Sequence, residues 1–159
     1  MKIKILIPVY NDWQSVSKLI DEINKLSIDP EFQISIIIVN DASNHDRQNE
    51  DKNLENIHSI KILNMKKNQG HARCIATGLK YIYEKEDFDL VIPMDGDGED
   101  RPVELGAIIR EAYGHPNNVI TANRIKRSEG FLFRFCYFVH KYLTFIFAGQ
   151  SIKFGNYTC

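Results

Sequence analysis

The sequence contains little of what marks the specialised classes of protein. Its three cysteines, Cys74, Cys136 and Cys159, are odd in number and form neither a CxxC pair nor a Cys/His cluster. This pattern argues against a disulfide framework or a zinc site and indicates reduced thiols in a cytosolic protein. The dinucleotide fingerprint GxGxxG and the P-loop pattern GxxxxGK[ST] do not occur, which excludes the two familiar glycine-rich phosphate loops.

Long hydrophobic runs and a strong excess of one charge are also missing. No stretch reaches the roughly 18 uncharged apolar residues of a membrane span. The short apolar run at the N-terminus predicts a first strand rather than a signal peptide. The net charge of −1 gives no reason to expect binding to nucleic acid. The chain has 159 residues, 43% of them hydrophobic, which is typical of one soluble globular domain with a sizeable core.

Apolar runs and helical repeats alternate along the chain. The runs predict strands at 3–9, 34–39, 60–64, 90–94 and 119–122, and the repeats predict helices at 13–26, 70–85 and 102–113. The apolar face of the second helix is expected at Ala72, Ile75, Ala76, Leu79 and Ile82. A polar stretch at 46–56 is predicted to be a loop or a short exposed helix. The alternation predicts an α/β fold with a mostly parallel central sheet flanked by helices.

Three polar clusters follow predicted strands. They are PVYND at 8–12, NDAS at 40–43 and DGDGED at 95–100. In open α/β sheets, ligands bind outside the carboxyl ends of the strands, where the order of the strands reverses. The three clusters are therefore expected at one common place.

The cluster DGDGED crowds four carboxylates, which repel one another unless water or a cation compensates. Asp95 and Asp97 would share one side of an extended backbone, and their hard oxygens suit Mg²⁺ or Mn²⁺, which take further ligands from water and phosphate. The alternative is a solvated acidic turn. A calcium loop of the EF-hand kind does not fit, because its sixth position is Asp100 rather than glycine.

Other polar residues allow both a functional and a structural interpretation. Asp41 could be an ordinary turn or helix-cap residue, and Tyr10 could be a packing aromatic. Arg73 lies in NQGHARCIATG, where a helix begins after a glycine turn and its N-terminus could face an anion; the arginine could equally be solvated. His71 has no partner at ligand spacing and is interpreted as structural.

Five motifs together resemble the family 2 glycosyltransferases of GT-A fold, nearest to the dolichyl- or undecaprenyl-phosphate sugar transferase branch. They are IPVYND at 7–12, IIIVNDAS at 36–43, NQGHARCIATGL at 68–79, DGDGEDRP at 95–102 and ANR at 122–124. Each motif is weak alone, but five in the correct order across nearly the whole chain are strong. The resemblance implies a nucleotide-sugar-binding GT-A core at 1–125, followed at 126–159 by an amphipathic helix and the start of a truncated acceptor region.

The resemblance also implies which residues bind the nucleotide. They are Pro8, Tyr10, Asp12, Val39, Asp41, Arg73, Asp95 and Gly96. Within this set, Val39 and Asp41 would hold the base and the ribose. Asn40 replaces the first residue of the Asp-Asp pair that is usual in the family, so the second position, Asp41, is the one expected to matter.

The resemblance assigns the metal and phosphate contacts to further residues. Asp95, Asp97 and Glu99 would hold the Mg or Mn ion, with Glu99 standing where that branch usually has a glutamine. Arg124 falls where the family has an arginine near the phosphates, and a basic stretch that includes Arg134 could meet an acceptor phosphate or simply be solvated. No catalytic base is assigned, because the acidic residue that often follows the glycine corresponding to Gly155 is absent here.

The aromatic-rich segment 131–148 contains Arg134 and Lys141 on one side of a predicted helix. Such a helix suits the surface of a bilayer, and the alternative is packing on another part of its own protein or on a partner. Related enzymes continue well past residue 159, so the resemblance implies a truncated chain.

The expected function is metal-dependent transfer of a sugar from a UDP- or GDP-sugar to a polyprenyl phosphate or a glycan. The expected location is cytoplasmic, with the protein a candidate for peripheral binding at the cytoplasmic face of the membrane. Two other readings remain: an inactive nucleotide-sugar-binding GT-A module, and, ranked last, a sugar nucleotidyltransferase, which normally opens with a glycine-rich, arginine-containing loop that PVYND lacks. The oligomeric state is not predicted.

Overall fold

Strands and helices alternate along the chain, as the sequence predicts. The computed structural model describes residues 1–27, 29–45, 47, 54–98, 100–116 and 118–122, together with 138, 142, 157 and 158. The elements are β1 (Lys2–Val9), α1 (Trp13–Asn24), β2 (Gln33–Asn40), β3 (Ile57–Asn64), α2 (His71–Lys85), β4 (Leu90–Pro93), a 3-10 turn (Pro102–Glu104), α3 (Leu105–Gly114), β5 (Thr121–Ala122) and β6 (Tyr157–Thr158).

Four parallel strands form the central sheet, in the order β3-β2-β1-β4. β2 pairs with β1 along its whole length, whereas β4 pairs only with the first half of β1 and ends with Pro93 opposite Leu6. The chain moves outward from β1 to β3 and then crosses back, so β4 lies on the other side of β1. The order of the strands therefore reverses between β1 and β4, and this is where ligands bind in such sheets.

Both faces of the two central strands are buried, which explains their continuous apolar sequences. α1 and α3 cover one face, where Ile5 and Ile36 are fully buried. α2 covers the opposite face, where Leu6 and Val39 are fully buried. Burying each side chain of this size contributes roughly 1.5–3 kcal/mol before conformational entropy is counted, so the apolar runs decide where the sheet forms.

The buried face of α2 differs from the sequence prediction. Ile82 is buried as predicted, but Ala72, Ala76 and Leu79 are exposed. The buried residues are spaced four apart: Cys74, Gly78 and Ile82. A Cβ placed on Gly78 would lie 2.3 Å from Cδ1 of Leu6, so the helix approaches the sheet closely at a position where only hydrogen fits.

Two further predictions about strands need correction. β3 begins at Ile57, earlier than predicted, because its pairing with β2 continues across an irregularity in register between Ile34 and Ser35. The strand predicted at 119–122 is limited to β5, which pairs antiparallel with β6 in a separate two-stranded sheet. This fifth strand therefore lies outside the parallel sheet.

Most of the predicted C-terminal region lies outside the described residues. This applies to the predicted domain at 126–159 and to the predicted surface helix at 131–148. Most of the predicted loop at 46–56 also lies outside the described residues. All three stay predictions. Where the structure describes the chain, no helix combines the length and the apolar character that crossing a bilayer requires.

A charged cluster ties three elements together on the α2 side of the sheet. Lys4 of β1 is 9% exposed, and its Nζ donates a hydrogen bond to Oε2 of Glu86 at 3.0 Å. The other carboxylate oxygen of Glu86 accepts from Lys61 of β3, which also contacts the hydroxyl of Tyr81. The hydrogen bonds from Lys61 and then Lys4 hold the pKa of Glu86 below its ordinary value of 4.5, and the same contact raises the pKa of Lys61 to about 12.

We expect Glu86→Gln to lower the free energy of unfolding by about 1–2 kcal/mol at neutral pH, since it leaves Lys4 buried without an opposite charge. The folded pKa of Glu86 is depressed, so its contribution is present above about pH 4.5 and is lost as the pH falls through the folded pKa. Urea unfolding at about pH 7 and about pH 3 should show the parent and the variant converging in acid. A difference that stays constant with pH would contradict this assignment.

Candidate active site

A pocket opens at the carboxyl ends of β1 and β4, where the strand order reverses. It is lined by Pro8, Val9, Tyr10, Asp12, Val16, His71, Asp95, Gly96 and Asp97. Most of the residues predicted to bind nucleotide and metal are thus brought to one place. The pocket has a volume of about 190 Å³, less than the roughly 300–1,000 Å³ of ordinary ligand pockets, so the described residues enclose less space than a typical ligand site.

The loop after β1 forms one wall of the pocket. Tyr10 is 49% exposed there, so its ring is accessible to a ligand. Asp12 also lines the pocket, and its Oδ1 accepts the main-chain N–H of Ser15 at 3.2 Å. This bond caps the N-terminus of α1. Asp12 therefore has a structural function in addition to its predicted place beside the nucleotide.

The acidic loop after β4 forms the opposite wall. Asp97 is exposed and the side chain of Asp95 is 27% exposed. Asp100 is instead buried, at 3% exposure, and its Oδ2 accepts the main-chain N–H of Asp95 at 2.8 Å. Gly98 allows this turn with a φ of 83°. The loop thus folds back on itself, and the crowding of its carboxylates is relieved at Asp100 by a main-chain hydrogen bond.

His71 is a pocket residue that the sequence interpretation missed. It is the first residue of α2, and its Nε2 lies 3.4 Å from Oδ1 of Asp95. Its side chain is 59% exposed and lines the pocket, whereas the sequence interpretation treated it as structural. Asp95 lies in the loop after β4, far from His71 in the sequence, so the two residues form no motif of short spacing. The only hint in the sequence was the position of His71 after the glycine turn that begins the helix.

Asp41 is buried beside the pocket rather than in its lining. It is 3% exposed, and its two carboxylate oxygens accept the main-chain N–H groups of Gln69 and Gly70, each at 2.8 Å. These bonds fix the turn that carries His71. Burial, followed by the nearby Asp41 carboxylate, raises the pKa of the Cys74 thiol to about 11, which keeps the thiol protonated at neutral pH. Asp41 therefore acts on the pocket through the turn.

The remaining predicted residues are not placed in the lining. Val39 is fully buried under α2. The guanidinium of Arg73 donates a hydrogen bond to Oε1 of Gln69 at 3.1 Å. Glu99, Arg124 and Arg134 lie outside the described residues. Their roles stay predictions, as do those of the residues that line the pocket.

The carboxylate oxygens of the pocket fit a hard divalent cation that takes its remaining ligands from water and a bound phosphate. In the part of the chain that the structure describes, no three His, Cys, Asp or Glu side chains converge on a ready-made metal site. Asp95 and Asp97 nevertheless supply two carboxylates to one pocket. Mg²⁺ typically uses one or two carboxylates, several waters and the oxygens of a bound phosphate, so this pair is sufficient on the protein side.

The sequence model of the family "glycosyl transferase family 2" matches residues 4–156. This chain belongs to glycosyltransferase family 2. A relative within reach of direct sequence comparison is the undecaprenyl-phosphate 4-deoxy-4-formamido-L-arabinose transferase of Proteus mirabilis, which is 29% identical over 133 residues. The match covers 82% of this chain and 39% of that protein, so this family 2 chain spans about two fifths of the length of the relative.

Solved structures of similar shape confirm the predicted GT-A fold of this family 2 chain. S. aureus TarS, residues 1–349, has a TM-score of 0.57 at 17% identity, covering 82% of this chain and 38% of that one. The mannosyltransferase PcManGT from Pyrobaculum calidifontis, solved in complex with GDP-Man and Mn²⁺, has a TM-score of 0.55 at 14% identity, covering 77% and 35%. TarS 1–349 in complex with UDP-GlcNAc also matches, with a TM-score of 0.51.

Proposed function

We propose that this chain forms the donor-binding part of a metal-dependent glycosyltransferase that uses a UDP- or GDP-sugar. The observation that carries the proposal is the pocket at the reversal of strand order, where Tyr10 and Asp12 face Asp95 and Asp97. The family membership supports it, as do the GDP-Man and Mn²⁺ bound to PcManGT and the UDP-GlcNAc bound to TarS.

The chemistry of the pocket suits the departure of a nucleoside diphosphate. When the bond to the sugar breaks, negative charge grows on the leaving phosphate, and a bound divalent cation stabilises that charge. Asp95 and Asp97 would hold the cation, and His71 would help to orient Asp95 through its contact at 3.4 Å. The exposed ring of Tyr10 offers a surface for the nucleoside, and Asp12 lies beside it.

For the acceptor, we infer a polyprenyl phosphate, with a glycan as the alternative. The support is the similarity to the undecaprenyl-phosphate 4-deoxy-4-formamido-L-arabinose transferase of Proteus mirabilis. A phosphate acceptor is already ionised and needs little help from a base, whereas a sugar hydroxyl needs a general base. Transfer to a lipid phosphate would place the protein peripherally at the cytoplasmic face of a membrane, with residues 126–159 towards the acceptor.

A second candidate is a nucleotide-sugar-binding module without activity. It is favoured by the pocket itself, which offers an exposed ring and a pair of carboxylates, the groups that donor binding alone requires. Such a module would bind the donor with the same residues but would transfer no sugar. Binding and turnover therefore have to be measured separately.

Calorimetry with UDP and with GDP, each in the presence and absence of Mn²⁺, tests the proposal. We expect one of the two nucleotides to bind more tightly, and its affinity to rise at least about tenfold when Mn²⁺ is present, as for a cation that bridges carboxylates and diphosphate. A folded chain that binds neither nucleotide with Mn²⁺ would overturn the proposal.

Sugar transfer is then measured with the preferred donor in two arms. One arm offers polyprenyl phosphate in vesicles, and the other offers a soluble glycan. Transfer only in the vesicle arm supports the lipid acceptor, and transfer only to the glycan contradicts it. Tight Mn²⁺-dependent binding without transfer in either arm indicates the inactive module.

A further inference from the structure

Two loops beside the pocket are joined by reciprocal hydrogen bonds. The main-chain N–H of Asn11, in the loop after β1, donates to Oγ of Ser43 in the loop after β2 at 2.8 Å. In the opposite direction, Oδ1 of Asn11 accepts the main-chain N–H of Asn44 at 2.7 Å. Nε1 of Trp13 adds a third bond, to the carbonyl of His45 at 2.8 Å. The loop after β1 is therefore fastened to the loop after β2.

Each of these loops contains a residue in the left-handed backbone region. The φ angle is 59° at Asn11 and 56° at Ala42. Asparagine tolerates this region, but alanine meets a steric penalty there. Such conformations persist only where the surrounding structure over-determines them, and they are frequent at ligand sites. The reciprocal hydrogen bonds provide that constraint here.

Asn11 stands between two residues that line the pocket but does not line it itself. Its neighbours Tyr10 and Asp12 both do. Asp12 is fixed through its cap on Ser15, whereas Tyr10 is half exposed. Because Tyr10 precedes Asn11 in the chain, the backbone conformation held at Asn11 bears directly on where the Tyr10 side chain lies.

We propose that Asn11 is a positioning residue that prepares the nucleotide-binding loop by locking it to the loop after β2. The inference rests on the proposed function, since it concerns how the same pocket receives its nucleotide. A loop that is already ordered loses less conformational freedom when a ligand binds. Asn11 thus raises affinity through Tyr10 and Asp12 without touching the ligand.

The variant Asn11→Gly tests this directly. Glycine adopts the left-handed conformation freely but has no side-chain oxygen, so the variant removes the hydrogen bond and leaves the backbone shape accessible. We expect it to bind the nucleotide that the parent prefers about five- to tenfold more weakly, the scale of one lost hydrogen bond. The measurement is calorimetry with Mn²⁺ present.

The partner residue gives an independent check. Ser43→Ala removes the acceptor for the N–H of Asn11, and we expect a loss of similar size. Ser43→Thr keeps the hydroxyl and should restore the affinity of the parent. Both changes act on the same set of hydrogen bonds between the two loops. The affinity of the double variant Asn11→Gly/Ser43→Ala should therefore fall by less than the product of the two single fold-changes.

Asn24→Gly is the matched control. Oδ1 of Asn24 also accepts loop N–H groups, those of Glu55 at 2.9 Å and Asn56 at 3.0 Å, but at the end of α1 away from the pocket. We expect its nucleotide affinity to stay within about twofold of the parent, as for a distant independent site. Provided that the parent protein binds nucleotide, two results would overturn the positioning role alone. One is equal weakening by Asn24→Gly, and the other is an affinity of Asn11→Gly equal to that of the parent. A parent that binds no nucleotide would overturn the proposed function, and this inference with it.

Discussion

Asp97→Asn is expected to weaken the Mn²⁺-dependent binding of UDP or GDP by about 1–3 kcal/mol, the usual scale for losing a hydrogen-bonded or charged partner. That loss corresponds to roughly 5- to 150-fold in affinity. The substitution keeps the size of the side chain but removes the negative charge that Asp97 contributes to the pocket. Calorimetry with and without Mn²⁺ separates the metal-dependent part, and binding without Mn²⁺ should change much less.

Asp87→Asn is the control for this experiment. It changes the net charge by the same amount, but Asp87 pairs with Lys2 at the amino end of β1, whereas the pocket lies at the carboxyl end. Equal weakening by both variants would show a general effect of net charge rather than a cation held at Asp97. Parent-like binding by Asp97→Asn would remove Asp97 from the metal site.

Gly78→Val should lower the free energy of unfolding by about 3 kcal/mol, at the upper end of the usual cost of overpacking a core. A Cβ at this position would lie 2.3 Å from Cδ1 of Leu6 and 2.9 Å from Cγ2 of Val39. Both neighbours are fully buried in strands that are packed on their other face. The helix or the sheet would have to move, because the neighbouring side chains have no free space. Urea unfolding measures the loss.

Gly106→Val provides the comparison within the same protein. Gly106 is also helical, but a Cβ there would meet only the flexible end of Arg110 at 3.5 Å. Replacing glycine in a helix is favourable by a few tenths of a kcal/mol, roughly, when nothing else changes. We therefore expect this variant to be as stable as the parent or slightly more so. Similar destabilisation at both positions would contradict the assignment of close packing to Gly78.

The sheet could be predicted because its signal is local. Continuous β-branched runs such as ISIIIV mark strands covered on both faces, and the structure places that run within β2. The meeting of PVYND with DGDGED was also predictable, since parallel strands bring their carboxyl ends to one edge. The family membership, the fold class and these two facts follow from patterns within short stretches of sequence.

What the sequence could not give is the part that depends on contacts between distant elements. The inward face of α2 was misjudged because Gly78 packs by lacking a side chain, which carries no hydrophobic signal. Asp100 was one of the four crowded carboxylates for which water or a cation was expected to compensate, but it is buried and accepts the main-chain N–H of Asp95. The nucleotide role of Asp41 stays a prediction, but its hydrogen bonds to the turn before His71 could not be foreseen. For Gly78 and Asp41 the deciding partner lies on another segment, whereas for Asp100 it is the backbone of the same loop, folded back by the turn.

The short pairing of β4 has a thermodynamic consequence. β4 contacts β1 only as far as Leu6, and the last main-chain bond of this pairing runs from Met94 to Leu6 at 2.9 Å. The acidic wall of the pocket follows this bond directly, and the other wall begins at Pro8, two residues after Leu6. By linkage, a ligand that binds only while β1 and β4 are paired stabilises that pairing by the free energy of its binding. The affinity of such a ligand and the stability of the β1–β4 pairing are therefore coupled.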